Sequence, residues 1–113
     1  MILVTGATGF IGSHLMCLLV QKDVFPVAMF RHESNKNNVW KLFESKFSDA
    51  KERYEKITWR KADLRDLPSL NQAFEGVTHV YHCAGYISLA QRDVKKLLEI
   101  NEQGSAYLVN LCL

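Results

Sequence analysis

The sequence predicts an α/β fold, the N-terminal half of a doubly wound parallel sheet with strand order 3-2-1-4. Three observations predict it. Short apolar runs alternate with stretches of helical periodicity, in the order β-α-β-α-β-α-β-α, over all 113 residues. The first run, Ile2-Leu3-Val4, is continuous and reads as a strand buried on both faces. Three glycines, Gly6, Gly9 and Gly12, follow that run directly and lead into a helical period. Strict alternation requires parallel strands with crossover helices on both faces, and right-handed crossovers leave few topologies.

The elements follow in order. From Phe10 to Lys22, Ile11, Leu15, Leu18 and Leu19 recur at helical spacing. Val24 to Phe30 reads as a second strand with Pro26 near its start. Val39, Trp40, Phe43, Phe47 and Ala50 mark one face of a helix, inside a Lys- and Glu-bearing connection that is longer than usual. Ile57 to Trp59 is a third, shorter strand. Pro68 stands where a helix starts, with Leu70 and Phe74 on one face of it. His79 to His82 is a fourth strand, and a last helix is predicted from about Gln91 to the end, with Val94, Leu97, Leu98, Leu108 and Leu111 inward. No repeat, low-complexity run or linker divides the chain, so residues 1–113 read as one unit.

Composition narrows the function classes. Fourteen basic against twelve acidic residues leave a formal charge of +2, which gives no reason to expect nucleic acid or an anionic membrane as a partner. The longest apolar stretch, Leu15 to Val20, falls far short of the ~20 residues of a membrane span, and no signal-peptide pattern precedes Ile2. Three cysteines, Cys17, Cys83 and Cys112, with no C-x-x-C pair, fit neither a disulfide framework nor a zinc site. Reduced thiols in a cytoplasmic protein are the expectation. His79 and His82 lie three apart on a strand, point to opposite faces and cannot share a metal ion. They are expected as packed or hydrogen-bonded core histidines, and His14 as solvent-facing.

The informative segment is Val4-Thr5-Gly6-Ala7-Thr8-Gly9-Phe10-Ile11-Gly12. A pyrophosphate needs backbone N–H donors at close range, and a helix N-terminus offers unpaired N–H groups with a favourable dipole. Gly6 lets the chain turn sharply out of the strand, Gly9 leaves no Cβ between backbone and phosphates, and Gly12 lets the helix lie close on the sheet. The spacing is G-x-x-G-x-x-G, not G-x-G-x-x-G, and no Lys-Ser or Lys-Thr pair follows as in a mononucleotide loop.

Thr5-Gly6-Ala7-Thr8-Gly9-Phe10-Ile11-Gly12 resembles the signature of the extended short-chain dehydrogenase/reductase family, which includes NAD-dependent epimerases and dehydratases. Within it the likeness is to the dihydroflavonol reductase and 3β-hydroxysteroid dehydrogenase-like branch. Three later segments match in order: Lys61-Ala62-Asp63-Leu64-Arg65-Asp66, Val80-Tyr81-His82-Cys83-Ala84-Gly85 and Asn101-Glu102-Gln103-Gly104-Ser105-Ala106. The resemblance implies a Rossmann-type fold and a dinucleotide cofactor. It implies that Asp63 and Leu64 lie against adenine, that Cys83, Ala84 and Gly85 pass beside the nicotinamide ribose, and that Asn101 supports a catalytic lysine. Gly6, Thr8, Gly9, Phe10, Ile11 and Gly12 are the candidate contacts of the turn. In an open parallel sheet ligands bind beyond the carboxyl ends of the strands. Gly6, Arg31, Asp63 and Ala84 each stand at or just after such an end.

Arg31 occupies the place where an NAD-binding fold carries Asp or Glu for the ribose 2′-OH. A guanidinium cannot accept that hydrogen bond and suits a 2′-phosphate, so NADP is the expected cofactor. Glu33, two residues on, keeps NAD as the alternative. The family's chemistry needs a Tyr-x-x-x-Lys pair. The fourth residue after Tyr54, Tyr81, Tyr86 and Tyr107 is Thr58, Gly85, Ala90 and Leu111, never lysine. The expectation is therefore a cofactor-binding portion without its catalytic and substrate-binding remainder. It is inactive alone, serves an oxidoreductase or epimerase acting on a carbonyl/hydroxyl pair of a small-molecule substrate, and self-associates through an exposed sheet edge. A non-catalytic nucleotide-sensing or protein-interaction module on the same scaffold is the alternative.

Overall fold

A computed structural model describes residues 1–83. The elements are β1 Ile2–Thr5, α1 Phe10–Gln21, β2 Val27–Phe30, a single 3-10 turn Glu33–Asn35, α2 Lys36–Lys46, α3 Ala50–Glu55, β3 Thr58–Lys61, α4 Leu67–Ala73 and β4 His79–His82. The predicted last helix, Cys112 and the candidate residues Ala84, Gly85 and Asn101 lie outside the described residues. The four strands are parallel in the order β3-β2-β1-β4, as the alternation requires. Leu3 pairs with Val27 and Val80, and Ala28 pairs with Trp59.

Period-two alternation divides the apolar residues between the two faces. On one face Val4 and Ala28 pack with Met16, Cys17, Val20, Val39, Phe43 and Ile57. On the other, Leu3, Val27 and Met29 pack with Leu64, Leu70 and Ala73. Helices thus cover both faces, α1 to α3 on the first and α4 on the second.

Several expectations need correction. Val24 does not open a strand. Its N–H bonds to the Leu19 carbonyl at 2.9 Å, and Asp23 takes a left-handed backbone (φ 60°), so residues 22 to 24 are spent closing α1. β2 begins after the buried Pro26, and β3 begins at Thr58 and runs to Lys61.

The apolar face ending at Ala50 belongs to two helices. Phe47 has an extended backbone (φ −121°, ψ 132°) that ends α2. Its ring still packs edge-on against Phe43 at 5.3 Å. Arg53 then fastens α3 to the end of α1, bonding both oxygens of Asp49 at 2.9 and 3.0 Å and the Val20 carbonyl at 2.8 Å.

The buried face of α1 is Gly12, Ser13, Met16, Cys17 and Val20. Ile11 and Leu18 stand exposed, and Leu15 and Leu19 pack only at the margin. α1 is apolar nearly all round, so periodicity does not select its inner face; Gly12 does, as described below. Burial pushes the Cys17 thiol up to about 11, against a lesser opposing pull from Lys46, and keeps it a neutral packing group. His79 and His82 are hydrogen-bonded as expected but exposed, not core. β4 is the outer strand among the described residues. His14 faces solvent.

Candidate functional site

β1 ends at Thr5 and the chain turns at once. Gly6 has a positive φ of 65°, and the Gly9 N–H bonds back to the Gly6 carbonyl at 3.1 Å. This four-residue turn sets Phe10 as the first residue of α1. A Cβ on Gly12 would fall 1.9 Å from the Gly6 oxygen and 2.7 Å from the Gly6 carbonyl carbon. No side chain fits there, so Gly12 decides which face of α1 meets the sheet. The close approach is to the Gly6 peptide at the strand's end. Gly9 differs: its backbone is extended, and a Cβ there would sit at an ordinary 3.4 Å from the Gly6 oxygen.

No side chain caps the start of α1 and its first turn carries no acidic residue. The first N–H groups of a helix have no partner within it, and together with the dipole they favour an anion. The Ser13 hydroxyl bonds the Phe10 carbonyl at 3.1 Å, and His14 Nδ1 donates to the same carbonyl at 2.7 Å. Those side chains therefore turn back into the helix and do not compete for an incoming phosphate. The residues present fit a pyrophosphate: a turn opened and closed by glycines, an uncapped helix start and no carboxylate in its first turn.

A second concavity opens beyond the ends of β2 and β3. It measures about 300 Å³ and is lined by Arg31, Lys61, Ala62, Asp63, Asp66 and Ser69. Strand alternation explains the lining. Phe30 points to the α2 face, where its ring meets Trp59 and the Lys36 ammonium, and Arg31 follows on the α4 face. Arg31 donates from Nε to His32 Nε2 at 3.3 Å, and among the described residues its terminal nitrogens make no hydrogen bond or ion pair. Glu33 sits on the separate 3-10 turn, is not in the lining, and pairs with Lys36 at 3.0 Å.

Asp63 accepts from the Arg65 N–H at 2.9 Å and pairs with its guanidinium at 3.3 Å. Burial pushes the Asp63 carboxyl up. The Arg65 N–H, the Arg65 guanidinium and the charge of Arg31 together outweigh it and hold the group below its usual range. Its N–H bonds Ser69 Oγ at 3.1 Å, tying the strand end to the first turn of α4.

The third feature joins β1 to β4. The buried Thr5 hydroxyl and His82 Nδ1 share a hydrogen bond of 2.6 Å, and the Cys83 N–H bonds the Thr5 carbonyl at 3.1 Å. Desolvation of the His82 ring edge against the buried Thr5, with the rest of the residue exposed, lowers its pKa, and burial raises that of Cys83, so both are uncharged near neutrality.

Of the sequence candidates, Gly6, Thr8, Gly9, Phe10, Ile11 and Gly12 come together in one turn, Arg31 and Asp63 share one cleft, and Cys83 abuts the end of β1. Leu64 does not reach the cleft; its side chain is in the core beside Leu70. Sequence reasoning missed Lys61, Asp66 and Ser69 as cleft residues. Pro68 marks residues 66 to 69 as a helix start, which would have placed Asp66 and Ser69 beside the end of β3. It also missed Asn38, whose Nδ2 donates to the Thr8 carbonyl at 3.2 Å from thirty residues away. Nothing in the local sequence signals that contact.

Comparison with known proteins agrees with this geometry. The model of the NAD dependent epimerase/dehydratase family matches residues 2–113. The sterol demethylase protein B of Methylococcus capsulatus is 33% identical over 95% of the chain, and the dihydroflavonol 4-reductase of Hordeum vulgare is 32% identical over 98%. The chain spans only 29% and 30% of those two relatives. Among solved structures, a short-chain dehydrogenase/reductase superfamily protein from Agrobacterium tumefaciens with bound NAD superposes with a TM-score of 0.74 at 21% identity, over 98% of this chain and 28% of its own. The Bordetella bronchiseptica enzyme WbmG, solved with NAD and UDP, gives 0.72 at 21% identity, over 97% of this chain and 32% of its own. At such identities the likeness is one of fold.

Proposed function

The chain belongs to the NAD dependent epimerase/dehydratase family, and from that premise we propose that it holds the dinucleotide of an enzyme acting on a carbonyl/hydroxyl pair, with a preference for NADP(H). The relatives named as reductases, and the NAD carried by the Agrobacterium protein, support the cofactor class. The Gly6–Gly12 turn and the uncapped start of α1 would hold the pyrophosphate by backbone N–H groups. The cleft beyond β2 and β3 would take the adenosine, with Asp63 at its wall. The end of β4, fastened to Thr5 through His82, would border the nicotinamide ribose. A bound nicotinamide supplies hydride donation or acceptance. The residues of this chain would bind and orient it.

One observation carries the preference for a 2′-phosphate: Arg31 lines the cleft with its terminal nitrogens unengaged among the described residues, while Glu33 is turned away and paired with Lys36. A charge-assisted hydrogen bond to phosphate contributes about 1.5–3 kcal/mol, and screening on an open rim brings the net effect toward ~1.4 kcal/mol, a tenfold preference. Titration of NADP+ and NAD+ tests it. Arg31→Ala is expected to weaken NADP+ about tenfold and leave NAD+ nearly unchanged, and Arg31→Asp to invert the order. Equal wild-type affinities, or a loss shared by both cofactors in Arg31→Ala, would overturn the preference.

A further inference from the structure

We propose that Asn38 is a positioning residue for the pyrophosphate turn, locking its geometry from α2. The inference rests on the dinucleotide reading above but not on the choice between NADP and NAD. The Thr8 carbonyl and the Gly9 N–H belong to one peptide group. Its carbonyl accepts from Asn38 Nδ2 at 3.2 Å and its N–H donates to the Gly6 carbonyl at 3.1 Å. Both ends of that peptide are therefore pinned, and its plane sets the direction in which the N–H groups of Phe10, Ile11 and Gly12 leave the turn. Among the described residues no other hydrogen bond reaches residues 6 to 9 from outside the β1–α1 unit.

The donor type matters. An asparagine amide offers a directed N–H without charge, on a short side chain that loses little freedom. A lysine would bring a charge to compete for the phosphate, and a carboxylate cannot donate at all. The two hydrogen bonds run in series through one peptide group, so each polarises the other. Asn38 also lies in the first turn of α2, directly after the 3-10 turn that follows Arg31. The same helix start thus joins the segment carrying Arg31 to the turn at the head of α1.

The test uses wild type, Asn38→Ala and Asn38→Asp. In the unliganded protein, amide hydrogen exchange at Gly9, whose N–H bonds the Gly6 carbonyl, and at Ser13, whose N–H bonds the Gly9 carbonyl, should speed up about three- to tenfold in Asn38→Ala, as expected for loss of one net hydrogen bond, with β1 and β2 amides unchanged. ADP-ribose, which carries the pyrophosphate without a 2′-phosphate, should bind about three- to tenfold more weakly to Asn38→Ala, and more weakly still to Asn38→Asp. The NADP+/NAD+ ratio should stay at its wild-type value. A purely structural role would instead raise exchange across α2 and the core together. That result, or an ADP-ribose affinity within twofold of wild type in Asn38→Ala, overturns the proposal. A wild-type cofactor ratio of one, with the Asn38 effects intact, overturns only the NADP preference.

Discussion

The turn at the end of β1 and the cleft beyond β2 and β3 lie along the same edge of one sheet, yet they are built by opposite means. The turn is made of backbone. Its shape depends on the positive φ of Gly6 and on a space at Gly12 too small for a methyl group. The cleft is made of side chains, Arg31, Lys61, Asp63, Asp66 and Ser69, most of them long or charged and partly exposed. On the proposed reading the turn meets the pyrophosphate, which is common to every dinucleotide, so that region can be rigid and invariant in form. On the same reading the 2′ position, where dinucleotides differ, falls to groups that one substitution can change without disturbing the core.

The largest expected effect tests the rigid half. Gly12→Ala forces a Cβ into the Gly6 carbonyl, against backbone that cannot yield. A loss of at least about 2 kcal/mol is expected on thermal melting, at the upper part of the range for overpacking. Gly9→Ala should melt within about 0.5 kcal/mol of wild type, because an extended backbone and a 3.4 Å contact accept the methyl. It should nevertheless bind dinucleotides about tenfold more weakly, by keeping phosphate off the turn. Were Gly9→Ala to bind normally, the turn would not be the phosphate site. In the tunable half, Arg31→Ala should move the cofactor ratio about tenfold while shifting stability by no more than ~0.5 kcal/mol. An equally large change in melting would show the cleft to be structural.

Smaller effects sharpen the contrast. Thr5→Val removes the 2.6 Å bond between β1 and β4 and should cost about 1 kcal/mol, read by chemical denaturation. Asp63 gives a still smaller, pH-dependent effect. Its folded pKa lies below the unfolded value of about 3.9. It therefore contributes stability that is fully present above that value and lost as pH falls through the folded pKa. Melting curves of wild type and Asp63→Asn should differ at neutral pH and converge in acid. A difference that persists to the lowest pH would mean that the pairing with Arg65 and the nearby charge of Arg31 do not set the Asp63 charge.

The rigid half is also the half that the sequence discloses. Glycines placed between an apolar run and a helical period have few physical explanations, and strand alternation with right-handed crossovers leaves little choice of sheet order. Arg31 and Asp63 were legible as cleft residues because Arg31 directly follows β2 and Asp63 stands just beyond the end of β3. Contacts that depend on distant residues meeting were not. Asn38 reaches Thr8 across thirty positions. The break at Phe47 was hidden because its aromatic ring keeps the helical apolar pattern while its backbone abandons it. The inner face of α1 was hidden because Ile11, Leu15 and Leu18 compose an equally good stripe that the fold leaves outside or at the margin.

The central place of β1 sets an order of assembly. It pairs with β2 through Leu3 and Val27, and with β4 through Ile2 and His79. The second pairing closes a loop roughly three times as long, which costs about 1 kcal/mol more in chain entropy. During vectorial synthesis β2 and β3 also leave the ribosome before β4 does. Both influences favour completing the glycine turn and the Arg31 cleft first. A nascent chain would then present the proposed adenosine end of its site while the strand leading to Cys83 is still being made. A cofactor able to bind that early surface would act as a template for the rest of the fold.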